Sequence, residues 1–185
     1  SKRYDLLEQP WLSARDLSGG TVELSLVDVF RRAGRLAGLV GDVPTQVFAL
    51  TRLLLAVLHG ALRRQLDADE WARMWRDRVR PCDRIEKYLG DRRTRFDLFH
   101  PRTPFLQVAG LRTAKNEWTE VDRLIADVPN GRPIFSVRLD RKVTLSFAEA
   151  ARWLVHCHAF DPSGIKSGAV GDPRVKSGKG YPIGT

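Results

Sequence analysis

Cysteine is scarce in this 185-residue chain: only Cys82 and Cys157 occur, too far apart to make a CxxC pair. That excludes a disulfide framework and a cysteine-based structural zinc site, and leaves two buried or half-buried thiols in a reducing compartment as the expectation. Long apolar runs are also lacking. The best candidate, Leu53 to Leu62, is flanked by Arg52, interrupted by His59 and ended by Arg63 and Arg64, and reads as too short and too polar to span a bilayer. The first residues, Ser1-Lys2-Arg3-Tyr4-Asp5, carry no apolar h-region. No signal peptide and no membrane partner are therefore expected, and the expected location is cytoplasmic. Internal repeats are absent. Acidic residues are scattered and mostly adjoin arginine, which reads as a solvated face, so no catalytic set, metal site or cofactor is expected.

What is present is positive charge. Lysine and arginine number 31 against 22 aspartates and glutamates, giving a net charge of +9, with arginine in the majority. Such a balance favours polyanionic partners, because each neutralised phosphate releases counterions and arginine can hold phosphate through two N–H groups. Arginines that merely solvate helix faces would give the same total. With 43% hydrophobic and 29% charged residues, the composition is that of a globular domain with a core of its own.

Along the chain, strand-like residues up to Arg15 are followed by Ser18-Gly19-Gly20 and Thr21-Val22-Glu23-Leu24, a hairpin signal. Ser25 fits a helix N-cap with Asp28 in the first turn; Val29, Phe30, Ala33, Leu36 and Ala37 then share a helical face, and Gly38 and Gly41 end it. Pro44-Thr45 opens a helix to about Gln65, with Val47, Leu50, Leu54, Val57, Leu58 and Ala61 as its core stripe and His59 as a core or boundary histidine. Asp67 or Asp69 can cap a second helix bearing Trp71, Met74, Trp75 and Val79, packed antiparallel on the first. Asp83 to Leu89 adds a turn or two, and Asp91 to Arg95 is a charged loop. Phe96 to Phe99 and Pro104 to Val108 bracket a turn at His100-Pro101-Arg102, and Glu117 to Asp127 reads as a short helix. Phe135 to Thr144 is basic, either a strand or an irregular loop. Ser146 and Glu149 form a capping box ahead of a helix from Phe147 to Phe160 that buries Ala150, Ala151, Leu154, Val155 and His158.

The fold class is thus α+β, mixed and helix-dominated, with an N-terminal β-hairpin. Residues 1–160 form the body, and residues 161–185 a glycine- and lysine-rich loop region of the same domain. His156 and His158 look like metal ligands on paper, but two residues apart on a helix they point about 200° apart. The run from Gly171 to Gly180 resembles a phosphate-binding loop, yet six residues separate Gly171 from Gly178 where four are needed, and Gly180 stands where a hydroxyl should follow Lys179. Nucleotide hydrolysis is rejected. What remains is either a flexible linker or a binding loop. Ile165, Val170, Val175 and Ile183 favour the loop, whose glycines let backbone N–H groups approach phosphate or a minor-groove edge while Lys166, Lys176 and Lys179 neutralise charge.

Several separated motifs also carry a family resemblance. Gln9-Pro10-Trp11-Leu12, Pro44-Thr45-Gln46, Phe96-Asp97-Leu98-Phe99, Pro104-Phe105-Leu106-Gln107, Leu145 to Ala151, and Ala159 to Gly168 continuing through Gly171-Asp172-Pro173-Arg174 fall in order. Together they resemble the large subunit, CasA, of the type I-E CRISPR surveillance complex Cascade. The resemblance implies the N-terminal part of a longer, non-enzymatic protein that reads the protospacer-adjacent motif (PAM) of double-stranded target DNA, initiates unwinding and recruits a helicase-nuclease. It implies that Ser163, Gly164, Ile165, Lys166, Ser167 and Gly168 form a glycine loop approaching the PAM through the minor groove; some family members have glycine where Ser163 stands. It implies that a loop at residues 135–144, with Phe135, Arg138, Arg141 and Lys142, docks near the guide RNA 5′ handle and other Cascade subunits. Family PAM-reading elements beyond Thr185 are implied as well. A second reading makes this portion a protein-docking scaffold within the ribonucleoprotein, without direct DNA readout.

Overall fold

A computed structural model describes residues 2–63, 66–77, 81–126, 143–160, 165–174 and 178–179. Its first unit is a three-stranded antiparallel sheet in the order β2-β1-β3, with β1 at Leu12–Asp16, β2 at Thr21–Leu24 and β3 at Leu36–Val40. The expected hairpin is β1–β2, in register from Leu12 opposite Leu24 to Arg15 opposite Thr21. Its turn is organised by Asp16, whose Oδ1 accepts from the backbone N–H groups of Ser18 and Gly20, both at 2.9 Å, while Gly19 supplies φ +90°.

Ser25 caps helix α1 (Leu26–Arg32) as expected, accepting from the Asp28 N–H. The helix is shorter than its periodicity suggested. A 3-10 turn at Ala33–Arg35 follows, and Leu36 to Val40 leave the helix to become β3. Apolar residues here fit either period, and pairing with β1, from Ser13 opposite Val40 to Asp16 opposite Leu36, decides in favour of strand.

Helix α2 (Pro44–Leu62) begins with proline in its first turn and ends at Arg63, which adopts φ 57°, so it stops short of Gln65. At 19 residues it is long and apolar enough to cross a membrane by length and composition, a longer element than the run at Leu53–Leu62 suggested. One side buries Gln46, Ala49, Leu50, Val57 and Ala61, and its helical neighbours are α4 (Cys82–Gly90) and α5 (Phe147–Phe160). The approach to α4 is close: a Cβ on Gly60 would lie 2.5 Å from the Tyr88 ring. Helix α3 (Ala68–Arg76) has the expected cap, a reciprocal capping box between Asp67 and Glu70, but buries none of its residues. Its sequence is too polar to build the expected hairpin core. It meets α2 where Trp71 sits edge-on to His59, and His59 is exposed there rather than in the core. Trp75 is 88% exposed, and Val79 lies outside the described residues. The helix expected from Glu117 is reduced to a 3-10 turn at Val121–Leu124, and Asp127 lies outside the described residues.

The core gathers Leu6, Trp11, Leu12, Leu26, Leu50 and Leu89, all fully buried. The Trp11 indole N–H donates to the Leu6 carbonyl at 2.9 Å, and its ring meets Phe105 edge-on. The N-terminal segment is tied to the chain near residue 97: Leu6 N–H donates to the Phe96 carbonyl and Leu98 N–H to the Tyr4 carbonyl. Asp5 and Asp97 are buried beside Arg3 and Arg93, whose guanidinium groups offset the cost of placing carboxylates there. Arg152 of α5, only 6% exposed, donates to the Trp11 carbonyl at 2.9 Å and faces Glu23 at 3.7 Å, which locks α5 onto the start of the sheet.

Candidate nucleic-acid interface

Both segments singled out by sequence connect to α5, one at each end. At its N-terminus the capping box is complete. Glu149 accepts from the Ser146 N–H (2.7 Å) and hydroxyl (2.6 Å), and the Ser146 hydroxyl accepts from the Glu149 N–H. The Ser146 hydrogen bonds hold the Glu149 carboxyl below its usual range. The basic segment at residues 135–144 enters the helix here. Phe135, Arg138, Arg141 and Lys142 lie outside the described residues, as do Ser163 and Gly164.

The C-terminal turn of α5 is tethered residue by residue. His156 is buried and shares a 2.9 Å hydrogen bond with the Thr45 hydroxyl at the start of α2. Cys157 points its thiol toward the Leu124 carbonyl, at 4.0 Å. His158 donates from Nε2 to the Leu106 carbonyl at 2.8 Å, and Phe160 packs on Phe48 with ring centroids 6.1 Å apart. His156 and His158 thus serve different elements, as their helical spacing requires. Burial on α5 falls on Ala148, Ala151, Arg152, Trp153, Val155 and His156; Ala150 and Leu154 are half-buried and His158 is exposed. Both cysteines are half-buried free thiols, as expected.

Beyond α5 the glycine-rich segment contains regular structure. Strand β4 (Ile165–Lys166) pairs antiparallel with β5 (Gly178–Lys179), Ile165 opposite Lys179 and Lys166 opposite Gly178. Lysine positions 166 and 179 therefore lie on adjacent strands, one register step apart rather than opposite each other, a proximity of which sequence reasoning gave no sign. Ser167 is exposed and Gly168 half-exposed just after β4. The Val170 N–H donates to the Arg112 carbonyl at 3.0 Å, which fastens the segment to the loop after Pro104–Val108. Gly171 then turns the chain with φ +88°.

Asp172 takes three hydrogen bonds from Arg174, one from the backbone N–H at 3.0 Å and two from the guanidinium at 2.9 and 2.7 Å. The Arg174 hydrogen bonds hold the Asp172 carboxyl below its usual range. Arg174 is thereby committed to the turn and is a weaker candidate for a phosphate than the lysines. This strand–turn–strand course also differs from the strand–loop–helix that a phosphate-binding loop needs.

The two candidate segments are not brought together at their roots. They leave opposite ends of a helix of 14 residues, about 20 Å long. A surface using both would have to be extended.

A helix-dominated α+β body carrying a short, backbone-paired ribbon rich in lysine and glycine is the class that these observations define. The chain belongs to the family of CRISPR-associated protein Cse1, whose model matches residues 5–185. It is 34% identical, over 89% of its length, to CRISPR-associated protein CasA/Cse1 of Thermus thermophilus and covers 33% of that protein. The crystal structure of Thermobifida fusca Cse1 superposes with a TM-score of 0.84 at 56% identity, over 97% of this chain and 34% of that one. The same fold occurs in a chain of a CRISPR RNA-guided surveillance complex, with a TM-score of 0.78 at 24% identity over 100% of this chain and 39% of that one. The chain thus spans about a third of the length of these relatives.

Proposed function

We propose that this chain is part of a non-catalytic subunit of a type I-E CRISPR RNA-guided surveillance complex, and that its glycine-rich ribbon contacts the PAM of double-stranded target DNA. One observation carries the reading at residue level: the β4–β5 register sets lysine positions 166 and 179 on neighbouring strands, with glycines at 168, 171 and 178 around them. Glycine admits close approach to a DNA groove, and lysine neutralises phosphate. Family membership and the occurrence of the fold in a surveillance complex support the assignment. On this reading the basic loop at residues 135–144 docks toward the guide RNA 5′ handle and neighbouring Cascade subunits, and the whole protein helps to initiate unwinding and recruits the helicase-nuclease.

The test is Gly164→Asp combined with Lys166→Ala in the full-length protein, assayed for binding to duplexes with and without a PAM. An added carboxylate and a lost cation at the groove should reduce PAM-dependent binding at least tenfold, on the scale of about 1–3 kcal/mol for a lost specific contact. Unchanged discrimination between the two duplexes would remove the glycine ribbon from PAM reading.

A further inference from the structure

A second cationic site lies away from the glycine ribbon, in a cleft of about 770 Å³ between α4 and the loops that follow it. Arg92, Arg95 and Arg102 line it, with Phe96 and Phe105 beneath and His158 at one wall. No aspartate or glutamate lines it. Some arginines of the chain engage carboxylates, as Arg31 does Glu86, Arg93 does Asp5 and Glu8, and Arg174 does Asp172, while others such as Arg15, Arg52 and Arg112 meet none among the described residues; what sets the cleft apart is that three unpaired ones line one cavity. Among the described residues no carboxylate lies within ion-pair distance of Arg92, Arg95 or Arg102. Arg92 is held in place without one, its guanidinium 4.0 Å above the Tyr88 ring and donating to the Tyr88 carbonyl at 3.2 Å. All three arginines are exposed, while Phe96 and Phe105 are buried.

We infer that this cleft binds the phosphodiester backbone of nucleic acid, independently of sequence. Three uncompensated guanidinium groups match the charge and the paired oxygens of phosphates. The volume suits a nucleotide-sized group rather than a lone ion. The walls are otherwise mostly apolar, with Leu53, Tyr88, Leu106 and the exposed Val108, so it is the charge of the three arginines that selects a phosphate backbone. Position adds to this: His158 and Leu106 of the cleft wall are hydrogen-bonded to each other at the end of α5, where the glycine-rich segment begins. A duplex held at the ribbon could run its backbone across the cleft. The inference rests on the nucleic-acid reading above but assigns a different part: the ribbon discriminates and the cleft holds.

The experiment compares full-length protein with its Arg95→Ala/Arg102→Ala variant. Fluorescence anisotropy measures affinity for labelled duplexes with and without a PAM across a potassium chloride series. Thermal unfolding checks that the variant keeps the fold. The expected result is weaker binding to both duplexes by the same factor, an unchanged PAM ratio, and a salt slope reduced by about 0.9 for each phosphate contact removed. Arg95→Lys/Arg102→Lys, which keeps the charge, should retain most of the slope. Unchanged affinity and slope would overturn the inference. So would a lost PAM ratio with the slope intact, which would make the cleft a reader, or intact DNA binding with failed complex assembly, which would make it a protein-docking site. The glycine-ribbon variant moves the PAM ratio instead, so failure of either assignment is visible separately.

Discussion

The two β-sheets among the described residues are built on different terms. The sheet β2-β1-β3 is held by side chains: Leu12, Ala14 and Leu24 are buried, and Arg152 of α5 reaches across to the Trp11 carbonyl. The ribbon β4–β5 has two residues per strand and is fastened to the body by the Val170 bond to Arg112. An isolated two-stranded ribbon is marginal in water. The first is a scaffold whose order is internal. The second is the element proposed above to contact DNA, and a duplex seated on it would protect its amides.

The largest effect expected from a single change falls on the scaffold. Trp11→Ala removes a fully buried indole, its edge contact with Phe105 and its bond to Leu6, and should cost about 3–5 kcal/mol. Thermal unfolding of the full-length protein would show it. If the comparison holds, a variant this damaged loses the ribbon's function only along with the fold. A folded Trp11→Ala protein with normal stability would mean that the sheet is not the scaffold described.

A much smaller effect sharpens the boundary between the regions. Glu149→Gln keeps a side chain that can complete the capping box, so the loss at neutral pH should be about 0.5 kcal/mol or less. The charge shows itself in the pH dependence of stability. The Glu149 carboxyl sits below its ordinary value of 4.5 in the folded protein, so its contribution is fully present above that value and is lost as pH falls through the lowered one. Replacing it should therefore flatten the acid side of the stability curve without touching DNA affinity. Unfolding melts from pH 6 down to about pH 3 check the sign.

Much of the scaffold was legible in the sequence because its signals are local. Ser18-Gly19-Gly20 announces the hairpin, Ser25 and Asp67 announce helix starts, and Ser146 with Glu149 announces α5. β3 was misread because Leu36, Ala37, Leu39 and Val40 suit either period and only the distant partner β1 settles the matter. Pairing α2 with α3 failed for a similar reason: α4 and α5 arrive later in the chain and take the apolar face. At the candidate site, composition marked the glycine-rich segment, and the motif resemblance identified its family. The β4–β5 register and the Arg92, Arg95 and Arg102 cleft had no readable signal, since both depend on residues that meet only after folding. Arg92 and Arg95 read merely as part of a charged loop.

Backbone hydrogen exchange in the full-length protein, with and without a PAM-containing duplex, tests the division between scaffold and ribbon most directly. The account predicts that amides of residues 165–174 and 178–179 exchange quickly in the free protein and slow markedly when the duplex is added, while β1, β2 and β3 stay protected throughout. Unchanged exchange in the ribbon on binding a PAM duplex, or protection gained only within the sheet, would contradict it.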